Sequence, residues 1–147
     1  MSVLKKIYDY SKGEGFLTEW TEDEKILTVT IGDGDAFRLF FYSPTDNVGS
    51  VTYEFPFCVD AIDSEFVISG INALNTSSKI GKFFLSAQTQ TVRFSASVYY
   101  NDGDESRCAE YLFLLACSVI DKIGAPLFNL VTKEIDLDEF IKEVQDA

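Results

Sequence analysis

The chain has 147 residues, of which 46% are hydrophobic and 14% aromatic, and this size and composition predict a single folded domain. Its 24 acidic and 12 basic residues give a net charge of −12, which disfavours nucleic acid and anionic membranes as partners because both are negatively charged. There is no histidine, and the three cysteines lack the spacing of a zinc site or a disulfide framework, so we expect no metal and free thiols in a reducing cytoplasm.

The N-terminal part of the chain predicts one helix followed by strands. Ser2 is a suitable N-cap for the helix, and Gly13 follows its last turn. Asp33-Gly34 predicts a hairpin turn. Pro56 cannot donate to a ladder, so its strand end should lie at an edge or leave the sheet. The predicted elements are a helix over residues 3–12, a short extended piece over 16–20, and strands over 26–31, 36–42 and 51–57.

The rest of the chain predicts a helix, a hairpin and a mostly helical C-terminal part. Apolar and polar residues alternate from Val92 to Tyr100, which indicates an antiparallel sheet with one solvent-exposed face. Gly124-Ala125-Pro126 should end the third helix, and Pro126 should open another short one. The predicted elements are a helix from about residue 63, strands over 82–88 and 92–100, helices over 106–123 and 127–131, and a tail helix over 136–145.

These elements predict an α+β fold in which helices pack an antiparallel, twisted sheet of about five strands. The predicted order is α-β-β-β-α-β-β-α plus C-terminal helices, with three or four strands before the second helix. In this interpretation residues 1–133 form the domain, and residues 134–147 form an amphipathic helical tail.

The third predicted helix is apolar around most of its circumference, so it is either central or shared with a partner. The tail helix carries its own apolar stripe. The residues proposed for a partner or dimer surface are Tyr111, Phe113, Leu114, Phe140 and Ile141.

Two asparagines lie three residues apart in the apolar stripe of the second helix, where Asn is a poor helix former. Asn72 and Asn75, with the helix-ending Gly81, form a candidate structural motif. The favoured interpretation is that their amides tie the helix to the following hairpin through buried hydrogen bonds. The alternative is that they contact a ligand.

The sequence contains no recognisable catalytic signature, so we expect no enzyme activity and no cofactor. Gly81-Lys82 lacks the upstream glycine and the following Ser or Thr of a phosphate loop. Asp33-Gly34-Asp35 and Asp102-Gly103-Asp104 lack the later ligands of a calcium loop, and turn formation explains both. The N-terminus lacks the apolar segment of a signal peptide, and the apolar run from Tyr111 to Cys117 is short for a membrane span.

The element order, together with three short segments, resembles the YbjN family of bacterial sensory transduction regulators. The segments are Ile71-Asn72-Ala73-Leu74-Asn75, Gly81-Lys82-Phe83 and Val92-Arg93-Phe94. The resemblance covers about residues 2–131, with the tail from Glu134 as an addition. It implies a fold similar to type III secretion chaperones, a dimeric state, a bacterial origin and no enzymatic activity. Secretion chaperones bind an extended segment of another protein.

The leading functional hypothesis is therefore a non-enzymatic protein-binding module, chaperone-like or regulatory, that acts as a cytoplasmic homodimer with an unidentified protein partner. An exposed sheet edge should accept a partner strand by β-augmentation. The acidity is explained by solubility, or by a basic partner. The alternative function is a small-molecule sensor with an aromatic pocket between sheet and helices, lined by Phe41, Tyr53 and Phe94.

Overall fold

The computed structural model describes residues 2–32, 37–77 and 81–145. The elements are α1 (Val3–Gly13), β1 (Leu17–Trp20), β2 (Ile26–Ile31), β3 (Phe37–Tyr42), β4 (Val48–Cys58), a 3-10 turn (Ala61–Asp63), α2 (Ser64–Ser77), β5 (Lys82–Leu85), β6 (Thr91–Tyr99), α3 (Glu105–Val131) and α4 (Leu137–Gln145). The strands form one open antiparallel sheet in the order β1-β2-β3-β4-β6-β5. The predicted α+β class with an antiparallel sheet is confirmed.

The chain divides into two compact units, and α3 and two of the strands contribute residues to both. The first unit comprises Met1–Tyr53 and Ser95–Ala116. The second comprises Glu54–Phe94 and Cys117–Ala147. Each unit has its own buried core, and each is described by itself below.

In the first unit, helices cover one face of the sheet. Period-two alternation along β2 and β3 directs four buried side chains to that face: Leu27, Val29, Leu39 and Phe41. Phe41 packs against Phe113 of α3, with ring centroids 4.8 Å apart. Gly49 of β4 permits the close approach of α3, because a Cβ at this position would lie 2.9 Å from the Sγ of Cys108.

In the second unit, aromatic rings and a tail helix form the core. Phe83 packs against Phe94 at 5.1 Å and against Phe55 at 6.4 Å. Helix α4 lies close to α2 because Gly70 has no side chain, and Phe140 is completely buried there. A Cβ at Gly70 would lie 2.5 Å from Cδ2 of Leu130. The tail is therefore packed into this unit, although the sequence analysis sets it apart as an addition.

The opposite face of the sheet carries polar side chains that pair across β4 and β6. In the first unit the hydroxyls of Ser50 and Ser97 are 2.6 Å apart, and those of Thr52 and Ser95 are 3.2 Å apart. In the second unit Arg93 and Glu54 form an ion pair at 2.6 Å. Because these side chains satisfy one another, this face needs no covering layer, as the alternation in β6 predicts.

The sheet has six strands rather than about five, because residues 17–20 pair with β2 as a full strand. Four strands therefore precede α2, where the sequence left three or four open. The predicted Asp33-Gly34 turn lies outside the described residues, although Ile31 and Phe37 on either side of it are paired. Pro56 lies in the part of β4 beyond Tyr53, where the register with β3 ends, so its missing N–H interrupts no bond to β3.

The predicted break in the third helix at Gly124-Ala125-Pro126 is wrong, because α3 continues through Pro126 to Val131. A proline inside a helix leaves the carbonyl four residues earlier, that of Lys122, without its donor. Lys122 lies on the exposed side of α3, where water can supply that hydrogen bond. The helix also buries Leu127 and Leu130 beyond the proline, and this packing offsets the local cost.

Candidate protein-binding surfaces

Strand β1 ends the sheet, and the outer side of its backbone is unpaired. The N–H of Thr21 donates to the carbonyl oxygen of Ile26 at 2.9 Å, which fixes the phase of the ladder between β1 and β2. Because bonding alternates along an antiparallel pair, Thr18 and Trp20 direct their backbone groups away from β2. Within the described residues, no hydrogen bond reaches these groups. The outer side of the strand is therefore unpaired, with Trp20 partly exposed (36%) and Thr18 buried (5%).

The side chains of β1 present different surfaces on its two faces. Trp20 stacks on Tyr8 of α1 with ring centroids 5.9 Å apart, and about a third of it (36%) stays exposed. Leu17 and Glu19 are exposed on the other face. A strand added to β1 would thus meet an aromatic ring on one face, and a leucine and a carboxylate on the other.

Carboxylates surround this edge. Five acidic residues and no basic residue occur between positions 14 and 24. In the turn after β1, Asp23 accepts hydrogen bonds from the hydroxyl of Thr21 at 2.6 Å and the N–H of Lys25 at 3.1 Å. The hydrogen bond from Thr21 is the larger cause, and that from Lys25 the second, of a pKa of Asp23 below its usual value. This carboxylate is therefore ionised at neutral pH. The edge of β1 is consequently negative.

At the other end of the sheet order, Asn75 occupies the outer edge of β5 at Phe83. The amide nitrogen of Asn75 donates to the carbonyl oxygen of Phe83 at 2.9 Å, and the N–H of Phe83 donates to the amide oxygen at 2.8 Å. The N–H and C=O of one strand residue point to the same side, so the side chain of Asn75 takes the place of a neighbouring strand. Asn75 thus makes the link that the structural interpretation of the motif predicts.

The other two residues of the motif behave differently. Asn72 is exposed, so its amide does not make the predicted buried link, and its carbonyl oxygen accepts from the hydroxyl of Thr76 at 2.8 Å. Gly81 has a φ of 82°, a left-handed conformation that favours glycine just before β5. The two asparagines therefore have different roles.

A groove of about 280 Å³ lies between α1 and the first half of α3. Its lining comprises Lys6, Tyr10, Ser106, Ala109, Glu110, Phe113 and Leu114. Phe113 and Ala109 are buried and form the floor. Tyr10 is 49% exposed and Leu114 is 62% exposed, so both project at the rim.

The five residues predicted for a partner surface do not form one surface. Tyr111 and Leu114 are exposed on α3. Phe113 and Phe140 are not available to a partner, because Phe113 packs on Phe41 and Tyr10 and Phe140 fills the space above Gly70. Ile141 is half-buried on α4, in the second unit. A hydrophobic stripe in the sequence indicates that a helix face is covered. It does not indicate whether the same chain or a partner covers it.

The residues proposed for an aromatic ligand pocket are core residues. Phe41 and Tyr53 are buried in the first unit, and Phe94 is buried in the second. Each has an aromatic neighbour: Phe113 for Phe41, Phe37 for Tyr53 and Phe83 for Phe94. Each of the three rings therefore packs against another aromatic side chain of the protein.

The thiols offer little nucleophilic chemistry. Burial raises the pKa of Cys108, and burial together with the nearby Asp121 raises the pKa of Cys117, so both are neutral thiols at pH 7. Cys58 is exposed at the end of β4. Among the residues that the structure describes, no group of three His, Cys, Asp or Glu side chains could hold a metal ion.

Helix α3 has 27 residues and by length and composition could cross a membrane. The apolar run from Tyr111 to Cys117 is shorter than this helix because polar residues lie on either side of the run. The core helix of a soluble protein meets the same criteria, and 28% of the most apolar window of α3 is buried.

No protein-family model matches the chain, and no curated protein matches it significantly. The resemblance to the YbjN family stays a prediction that depends on the quoted segments.

The sequence predicts an exposed sheet edge that accepts a partner strand, but neither the strand that forms this edge nor the groove. Leu17-Thr18-Glu19-Trp20 has strand-type residues at alternate positions, which was a usable signal for β1, but nothing local shows which strand ends a sheet. The spacing of Lys6 and Tyr10, four apart on one helix face, was a signal for the groove.

Proposed function

We propose that this protein is a non-enzymatic, cytoplasmic protein-binding module that accepts an extended, basic segment of another protein as an additional strand on β1. The observation that carries the proposal is the difference between the two terminal strands. The Asn75 amide occupies the outer backbone groups of Phe83 in β5, whereas those of Thr18 and Trp20 in β1 have no hydrogen-bond partner among the described residues.

Main-chain hydrogen bonds from Thr18 and Trp20 supply the affinity, as in other complexes formed by strand addition. The carboxylates around β1 select the charge of the partner, because a lysine or arginine opposite Glu19 is attracted and an acidic residue is repelled. The resemblance to the YbjN family supports the same class of function, a chaperone-like or regulatory homodimer.

Trp20 provides a direct probe, because it is the only tryptophan in the chain and lies on the edge strand itself. Short peptides that alternate valine with lysine should change its fluorescence on titration. Peptides that alternate valine with glutamate should not. A valine–lysine peptide with N-methylated backbone nitrogens keeps the charge but cannot form the ladder, so it should bind weakly.

Two variants and a control complete the test. Thr18→Pro removes an outward N–H from β1, and Glu19→Lys reverses the charge beside it. Both should weaken binding of the valine–lysine peptide by roughly tenfold. Glu143→Lys makes the same charge change at an exposed position of α4 and should have little effect. Equal binding of all three peptides, or equal affinity of all variants, would show that β1 is not the site.

A further inference from the structure

The groove between α1 and α3 contains two opposite charges that have no partner. Lys6 is half-buried, Glu110 is exposed, and both line the groove. Within the described residues, neither forms an ion pair, whereas the neighbouring Lys5 pairs with Asp9 at 3.2 Å. Because the stem of a half-buried lysine packs against protein while its ammonium group reaches the surface, Lys6 can pair with an anion supplied from outside.

The charge of the groove differs from that of the whole chain. Lys6 and Glu110 are the charged residues of its lining, so the lining is neutral in a protein of net charge −12. A strongly basic partner would be drawn to the acidic surfaces instead. Two copies of this chain repel each other through most surfaces, and a neutral face is where they can meet at least electrostatic cost.

The shape of the groove suits a second copy as well. The α3 residues of the lining follow helical spacing (Ser106, Ala109, Glu110, Phe113 and Leu114), so they form one seam. Small side chains at 106 and 109 leave a hollow, and Leu114 projects beside it. In helix packing a projecting side chain fits a hollow of the facing helix.

We infer that this groove is the interface between two copies of the chain, related by a two-fold axis that places Lys6 of each copy opposite Glu110 of the other. A two-fold interface uses the same patch twice, so a patch with one cation, one anion, one knob and one hollow is self-complementary. The inference names the surface of the homodimer in the proposed function and depends on that function only for the dimeric state. The groove is small compared with a standard interface, so we expect a weak dimer whose population rises with protein concentration.

Sedimentation velocity over a dilution series into the high micromolar range tests this interface. Leu114→Glu places a carboxylate at the rim, and because Leu114 is exposed the fold should survive. We expect dimerisation at least about tenfold weaker. Ile62→Glu is the matched control, since Ile62 is an exposed apolar residue outside the groove, and it should leave the dimer unchanged.

Charge reversal distinguishes this interface from a merely structural effect. Lys6→Glu and Glu110→Lys should each weaken the homodimer, because each creates two like-charge contacts. A mixture of these two variants should form a heterodimer, since both contacts are then attractive, and the double variant should regain the homodimer. A monomeric chain at high micromolar concentration would overturn the inference, and so would a dimer that Leu114→Glu and the charge reversals leave intact.

The Trp20 titration on the same variants separates this inference from the proposed function. Leu114→Glu should lose the dimer and keep peptide binding, so loss of one property does not imply loss of the other.

Discussion

Asn75 hydrogen-bonds both backbone groups of Phe83, and this one amide links helix to strand in the second unit and occupies the strand edge at that residue. An amide can do this because it carries a donor and an acceptor with the spacing of a peptide group. Lys82 adds a contact from its Nζ to the carbonyl oxygen of Asn75 at 3.3 Å. The most unusual feature of the sequence therefore has a local structural cause.

Asn75→Ala should destabilise the protein. The substitution removes both hydrogen bonds and leaves the N–H and C=O of Phe83 unpaired, so the free energy of unfolding should fall by about 1–3 kcal/mol. Urea denaturation measures it. Asn72→Ala is the matched control on the same helix, and because Asn72 is exposed the change should stay within about 0.5 kcal/mol. Equal effects of the two substitutions would contradict the role assigned to Asn75.

Alkylation of the folded protein should modify Cys58 first and Cys108 last. Cys58 is exposed, whereas Cys108 is buried and its raised pKa disfavours the reactive thiolate. The raised pKa of Cys108 also determines how the stability of the fold changes with pH. The neutral thiol contributes stability at pH below its ordinary pKa of 9.0, and this contribution is lost as the pH rises through the folded-state pKa. Mass spectrometry of the alkylated peptides gives the order, and rapid labelling of Cys108 in the native state would be inconsistent with it.

At the scale of elements, Phe140 anchors α4 in the second unit. Its ring is completely buried against α2, where Gly70 makes room for it. Phe140→Ala should therefore lower the free energy of unfolding by about 3–5 kcal/mol. Glu143→Ala is the matched control on the same helix. It should have almost no effect on the free energy of unfolding because Glu143 is exposed. A loss below about 1 kcal/mol for Phe140→Ala would mean that the tail is not part of the core.

Hydrophobic periodicity predicted most helices and strands, but not how they pack against one another. The alternation in residues 92–100 and the stripe of α2 were sufficient to locate β6 and the second helix. Strand β1 was read as an extended piece because four residues carry too little pattern. The predicted helix break at Pro126 was wrong. Burial of Leu127 and Leu130 offsets the tendency of proline to end a helix.

The candidate site was less accessible to sequence reasoning than the fold. Whether Thr18 has a free N–H depends on the order of strands, and this order is set by contacts between distant parts of the chain. Lys6 and Glu110 are more than a hundred positions apart in the sequence, yet they line one groove. Neither fact has a local signal.

For the molecule as a whole, the charge of −12 is distributed unevenly, and this unevenness separates the two proposed interactions. The edge of β1 is acidic and suits a basic strand. The groove between α1 and α3 is neutral and suits a second copy. Added salt should therefore weaken peptide binding at β1, because it screens attraction between exposed charges.

Amide hydrogen exchange at Thr18 and Trp20 tests the central claim most directly. In the free protein both N–H groups should exchange faster than those that bond β1 to β2, because they lack a partner among the described residues, and the buried Thr18 (5% exposed) should exchange more slowly than Trp20. A saturating valine–lysine peptide should protect both, while the N–H of Phe83 should be protected in either state by Asn75. Exchange of Thr18 and Trp20 in the free protein as slow as that of the N–H groups that bond β1 to β2, or no protection when the peptide is bound, would contradict strand addition at β1.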